Sequence, residues 1–107
     1  MKVNDSKENI LATIRERQVF DSDHFNKEKE QETIIQIAAE ELHERLEEEY
    51  RKGSCCLSDD IWSRECDYIT QITAEILKDN SIPMNLTTLK AKISNRENEI
   101  TPRIIDI

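Results

Sequence analysis

The feature that most constrains this chain is its near lack of turn-forming residues, because its 107 residues include a single glycine and two prolines. All-β folds need many tight turns, and glycine and proline supply the backbone angles that such turns require. Stretches rich in Glu, Lys, Leu, Ile and Ala instead favour helices. The sequence therefore predicts an all-α fold, and we expect a small bundle of about four helices in a single domain.

The most regular stretch is predicted to form one long, acidic helix at the centre of the bundle, from about Lys27 to Lys52. Its apolar residues recur every three or four positions, as expected for one buried helix face. Cationic residues suit the negative end of the helix dipole, and Gly53 follows where a left-handed residue commonly ends a helix. The apolar positions are Ile35, Ala38, Ala39, Leu42, Leu46 and Tyr50.

Three further helices are predicted around the long one. Residues 1–26 hold a short helix and a connection, and residues 27–107 form the helical core with an apolar C-terminal tail. The third helix is expected to follow a cap at Ser58, and the fourth to begin after a cap at Asn85 and end near Asn95. The main apolar positions are Ile10, Leu11 and Ile14 in the first, Trp62, Cys66, Ile69, Ile72 and Ile76 in the third, and Leu86, Leu89 and Ile93 in the fourth.

The charge balance limits the classes of partner. The chain has 23 acidic and 15 basic side chains and a formal net charge of −8 at pH 7. Such a surface repels a phosphate backbone, so direct binding of nucleic acid is not expected. No apolar run reaches the roughly 18 residues of a membrane span, and no secretory leader is apparent. We therefore expect a protein partner and no membrane contact.

The three cysteines, Cys55, Cys56 and Cys66, lack the spacing of a metal or redox site. Two are adjacent and the third follows after nine intervening residues, whereas zinc and thiol redox sites commonly separate paired cysteines by about two to four residues. Neither His24 nor His43 is placed near them. We expect no metal or cofactor, an intracellular reducing compartment, and Cys66 as a small buried residue. With no phosphate-binding loop or nucleophile motif, an enzyme is not expected.

The run EELHERLEEE, at residues 40–49, is the strongest local charge feature. Carboxylates act in acid–base catalysis only where their surroundings perturb them, and a charged helix face is usually solvated. An alternative function for this run is a negative surface that attracts a basic partner or mimics nucleic acid. Its acidic residues are Glu40, Glu41, Glu44, Glu47, Glu48 and Glu49.

A tryptophan at the start of a predicted helix is followed by a break and then by a leucine, an apolar residue, a hydroxyl, a second apolar residue and a proline. These positions are Trp62, Leu89, Ile93, Ser94, Ile100 and Pro102. In this pattern, residues 62–102 resemble the second half of the small enhancer-of-yellow family of transcription and mRNA-export adaptors. The resemblance implies an all-helical protein that wraps around a long helix of a larger partner. The groove residues assigned on this basis are Trp62, Ile69, Ile72, Ile76, Leu86, Leu89 and Ile93.

Three functional hypotheses follow. The first is a non-enzymatic adaptor that binds a partner helix, because so short a chain is expected to carry more apolar helix surface than it can bury alone. The second is a small acidic inhibitor, of the kind carried by mobile elements, that blocks a nucleic-acid-binding protein. The third is a homodimer paired along the long helix through Ile35, Leu42 and Leu46.

Overall fold

The computed structural model describes residues 6–17, 27–51 and 59–105. These residues form four α-helices: α1 (Ser6–Glu16), α2 (Lys27–Arg51), α3 (Asp59–Asp79) and α4 (Leu86–Ile105). The prediction of a small all-α bundle is confirmed, and the long acidic helix is central because α2 contacts each of the other three helices. No helix in these three ranges is long and apolar enough to cross a membrane.

The packing has a three-helix unit with α1 added at one side. Helices α2, α3 and α4 contact one another in pairs, whereas α1 packs on α2 and α3 and away from α4. Helices α2 and α3 run antiparallel, because Arg45 meets Glu65 near one end of the pair and Gln31 donates a hydrogen bond to the Ile82 carbonyl near the other. The short turn at residues 80–85 then reverses the chain into α4.

The core consists of the apolar stripes that the periodicity predicts. Burying one Ile or Leu side chain stabilises a fold by about 1.5–3 kcal/mol, so these stripes supply most of the driving force. Cys66 is also buried, with its Sγ 3.3 Å from the Ser94 Oγ across the α3–α4 contact, as expected for a small core residue. The side chains with no more than 1% exposure include Ile10, Ile34, Ile35, Ala38, Leu42, Ile69, Ile76, Leu77, Leu89 and Ile93.

The end of α3 is closed by a Schellman motif that uses serine in place of glycine. Ser81 has a φ of 64°, in the left-handed region. The Ile82 N–H donates to the Leu77 carbonyl at 2.9 Å, and the Ser81 N–H donates to the Lys78 carbonyl at 3.1 Å. These bonds satisfy carbonyl groups that the end of a helix leaves without partners, at the cost of placing a β-carbon in a disfavoured conformation.

Helix α4 begins as predicted and extends further than predicted. The Asn85 side-chain oxygen accepts hydrogen bonds from the backbone N–H groups two and three residues later, at 2.9 and 3.3 Å, as an N-cap does. The predicted end near Asn95 is wrong, because the helix continues to Ile105. The next two residues, Arg96 and Glu97, pair with side chains of α2, and these contacts outweigh the weak helix propensity of asparagine.

Candidate partner-binding site

Most of the predicted groove residues lie inside the protein's own core. Ile69, Ile72, Ile76, Leu89 and Ile93 are each no more than 8% exposed and pack against apolar side chains of the bundle. The expectation that the chain carries apolar helix surface in excess of what it can bury is therefore not met in the described ranges. The four helices cover these stripes mutually, so no open apolar groove is formed by these five residues.

The remaining apolar candidates are few. Trp62 is half-buried and packs against the core, so it is an edge residue and not a fully buried anchor. Leu86, in the first turn of α4, is 53% exposed, and Tyr68 is 39% exposed. These two are the only large hydrophobic side chains classed as exposed among the described residues.

The seam predicted for a homodimer is likewise covered. Ile35 and Leu42 are fully buried and Leu46 is 5% exposed, all within the single core of one chain. A second copy cannot reach these side chains while the bundle is closed. Dimerisation along this face of α2 would therefore require the helices to separate.

Part of the acidic run of α2 faces α1. The Arg17 guanidinium donates to Glu40 at 3.0 Å, and the Asn9 amide donates to Glu41 at 3.2 Å. Glu44, one turn further along α2, is exposed. Glu40 and Glu41 therefore contact the first helical segment, while the Glu40 side chain, 42% exposed, and Glu44 remain accessible to solvent.

The last part of the run lies nearer α4. The His43 Nε2 is 2.9 Å from a Glu47 carboxylate oxygen, and its Nδ1 is 3.2 Å from Glu97, which is 3% exposed. Glu48 and Glu49 are intermediate in exposure. Glu47 therefore pairs within α2, and His43 in turn links α2 to Glu97 of α4.

An open groove runs between α1 and α2, and it gathers the acidic side chains nearest to α1. Its volume is about 530 Å³. Four carboxylates and one guanidinium line it, and Ile37, which is 3% exposed, is its only apolar lining residue. The lining residues are Asn9, Thr13, Glu16, Arg17, Ile37, Glu40, Glu41 and Glu44.

A third acidic contact holds α1 from the side of α3. The Lys7 ammonium is 3.4 Å from the Glu75 carboxylate, and both side chains are well exposed. Helix α1 therefore lies between carboxylates on both neighbouring helices, which are met by Lys7 of α1 and by Arg17, the residue that follows α1. Exposed pairs of this kind contribute roughly 0–1 kcal/mol each, so they set position more than stability.

The start of α1 is fixed by a polar junction that sequence reasoning missed. The Arg45 guanidinium donates to Glu65 at 2.5 Å and to the Ser6 hydroxyl at 3.0 Å, and it lies 4.7 Å from the centre of the Tyr68 ring. Burial lowers the pKa of Arg45, but the hydrogen bond and charge of Glu65 outweigh that effect, so the pKa is raised above its ordinary value. One signal was available, since Glu65 falls four residues before Ile69 on the buried face of α3.

On the side of α2 that packs against α4, the carboxylate of Glu32 is matched by cations of α4. Glu32 pairs with Lys92 at 3.2 Å and with Arg96, which also donates to Gln36. Burial alone would raise the pKa of Glu32, but these two cations lower it below the ordinary value. Glu32 is therefore matched by cations, whereas four carboxylates face one guanidinium in the α1–α2 groove.

The structure offers no support for a metal centre. No cluster of His, Cys, Asp or Glu in residues 6–17, 27–51 and 59–105 could hold an ion. Cys66 is a free, buried thiol. The predictions for Gly53, Cys55, Cys56 and Ser58 fall outside the described residues, as do those for the side chains of Tyr50 and of residues 101–107. Ile100, the first apolar residue of the predicted tail, is half-buried in α4.

Comparison with known proteins adds no family assignment to this geometry. The chain matches no family model, no curated protein and no solved structure.

Proposed function

We propose that this chain is a non-enzymatic protein-binding module that uses the acidic groove between α1 and α2 to bind a basic segment of another protein. The observation that supports this proposal is the composition of the groove, in which four carboxylates face one guanidinium. That guanidinium, on Arg17, already pairs with Glu40. Additional lysine or arginine side chains of a partner would therefore find carboxylates within reach.

The electrostatics of the whole chain act in the same direction. Its net charge of −8 attracts a basic partner over a distance of about 8–10 Å at moderate salt, which raises the association rate. Exposed Glu44 gives the groove an open acidic rim. Complementary charges of this kind set specificity and association rate more than they set affinity.

Of the three hypotheses, the acidic inhibitor is the one that this groove favours. Proteins that bind nucleic acid present basic surfaces, and an acidic groove can occupy such a surface in place of the phosphate backbone. The adaptor in a transcription or mRNA-export complex, implied by the enhancer-of-yellow resemblance, remains a second proposal. It requires a partner helix to reach residues such as Ile72 and Ile76, which are buried. The free thiol of Cys66 is compatible with the reducing intracellular compartment that we propose for either function.

The proposal is tested with a fluorescein-labelled peptide of alternating lysine and alanine, about twelve residues long. Fluorescence anisotropy gives its dissociation constant for the native chain at about 0.05 M and about 0.3 M salt. The test variant is Glu41→Gln with Glu44→Gln, and the matched control is Glu28→Gln with Glu99→Gln. Both pairs remove two negative charges, but only the first pair lines the groove.

We expect the groove variant to bind the peptide roughly fivefold more weakly than the native chain, since each exposed charge contributes up to about 1 kcal/mol. The control variant should lose less than about twofold, and binding should weaken at the higher salt. Equal losses in the two variants would mean that the peptide responds to net charge alone. That result, or no binding at low salt, would refute the proposal.

A further inference from the structure

Building on the proposed function, we infer that α1 occupies a cleft between α2 and α3, and that a basic amphipathic helix of the partner displaces α1 and binds in that cleft, against the groove residues that α2 contributes, Glu40, Glu41 and Glu44. The partner helix takes the place of α1 against α2 and α3 and does not lie on top of α1. Three features of the described residues support this exchange, namely the peripheral position of α1, the charge of the groove and its incomplete filling.

The first feature is the position of α1 outside the three-helix unit. Helices α2, α3 and α4 contact one another without it. Only two large apolar side chains of α1, Ile10 and Ile14, are buried, and Leu11 is half-buried. Elements with few buried apolar contacts open locally at a lower free energy than the whole fold. The α1 helix can therefore leave while the other three helices remain packed.

The short length of α1 also favours its release from the bundle. The helix spans 11 residues, and isolated helices shorter than about 12–15 residues are marginal in water. Once released, α1 has little helical structure of its own to preserve. A longer helix from a partner, with the same pattern of side chains, would lose less order and gain more contacts in the same groove.

The second feature is the negative charge around the cleft that α1 occupies, which favours a basic helix as its occupant. The carboxylates of Glu40 and Glu41 on α2 and of Glu75 on α3 flank α1. Two of them are met by cations, Lys7 in the first turn of α1 and Arg17 directly after its last turn. A competing helix would carry cations in its first and last turns and two isoleucine or leucine residues four positions apart on the face between them.

The third feature is unfilled space beside α1. The open groove of about 530 Å³ reaches Ile37 but is otherwise lined by polar side chains. Thr13 and Asn9 of α1 border this space and are too short to fill it. Longer cationic side chains at the corresponding positions of a partner helix would fill this space and meet the exposed Glu44.

The test uses the full ¹⁵N-labelled chain and an unlabelled peptide with the α1 sequence SKENILATIRER, acetylated and amidated. Two chains are compared with the native one: Ile10→Ala, which weakens the chain's own α1, and Ala12→Ser, a control at an exposed position of the same helix. A peptide with both isoleucines replaced by alanine controls for binding through charge alone. NMR spectra report affinity and the state of the α1 amides.

We expect the peptide to bind the Ile10→Ala chain at least about tenfold more tightly than the native chain, because the apparent dissociation constant falls as the open fraction rises. The Ala12→Ser chain should bind like the native chain, and the alanine peptide should not bind at this site. On binding, the amide signals of residues 6–17 should move to unfolded positions. Equal affinity for the native and Ile10→Ala chains would overturn the inference.

Hydrogen exchange on the native chain provides a test that needs no variant. The amides of α1 should exchange faster than those of α2, α3 and α4, since α1 opens without global unfolding. Exchange of α1 at the rate of the core would overturn the inference even if Ile10→Ala failed to fold. Binding of the lysine–alanine peptide while the α1 amides stay protected from exchange would also overturn this inference. That result would still agree with the proposed binding of a basic segment to the acidic groove.

Discussion

Replacing Arg45 with methionine is expected to destabilise the fold more than any exposed charge change. The substitution leaves the Glu65 carboxylate, only 6% exposed, without its guanidinium partner, and it removes the donor to the Ser6 hydroxyl. Breaking a buried ion pair from one side commonly costs about 3–5 kcal/mol. The Arg45 side chain is 28% exposed, so we expect a smaller loss, about 2–4 kcal/mol in the free energy of unfolding.

Urea unfolding followed by circular dichroism measures this loss, which corresponds to a melting temperature lower by roughly 10–25 °C for a chain of this size. Arg64→Met is the matched control, because Arg64 lies exposed on α3 and its replacement should change stability by less than about 0.5 kcal/mol. Replacing both members of the pair, Arg45→Met with Glu65→Met, should recover at least about 1 kcal/mol, since no buried charge is then left alone. If Arg45→Met were no more destabilising than Arg64→Met, the polar junction would not hold α1 to the bundle.

The remaining predictions concern the α3–α4 turn and the α2–α4 edge. Ser81→Gly should stabilise the fold by about 0.5–1 kcal/mol in urea unfolding, because glycine adopts the left-handed conformation without a β-carbon clash; no gain would contradict the Schellman assignment. Asn85→Ala should cost about 1 kcal/mol through loss of the N-cap, and an unchanged stability would refute that role. The stabilising contribution of the Glu32 carboxylate should be complete above its ordinary pKa of 4.5 and lost as the pH falls through the lowered folded value. Unfolding of the native and Glu32→Gln chains should therefore differ most near neutral pH and converge in acid, and a constant difference would contradict this.

Much of the architecture was accessible from the sequence because it depends on local patterns. The spacing of Ile10 and Ile14 predicted α1, and the cap at Asn85 predicted the start of α4, since both effects act within a few residues. The end of α4 was not predictable in the same way. Asn95 is a weak helix former, but the helix passes through it because Arg96 and Glu97 find partners on α2, and periodicity carries no information on pairing between helices.

The candidate site, like the fold, was predictable from the sequence only where it depends on local patterns. The acidic character of residues 40–49 was visible in the sequence, but the contacts of its side chains with other parts of the bundle were not. Glu40 accepts from Arg17 and Glu41 accepts from Asn9, and both contacts depend on how the helices are arranged around α2. Most positions of the apolar stripes were identified from the sequence, although Ile34 and Ile37 of α2 were missed. That the helices bury these stripes against one another was not predicted, because a count of apolar positions does not reveal how helices pack.

Chemical-shift mapping of the ¹⁵N-labelled full chain with the lysine–alanine peptide locates the binding of a basic segment residue by residue. The largest amide shifts should fall around Asn9, Thr13, Ile37, Glu41 and Glu44, which line the acidic groove. Shifts concentrated instead near exposed Tyr68 and Leu86, with the groove amides unmoved, would contradict the proposed function.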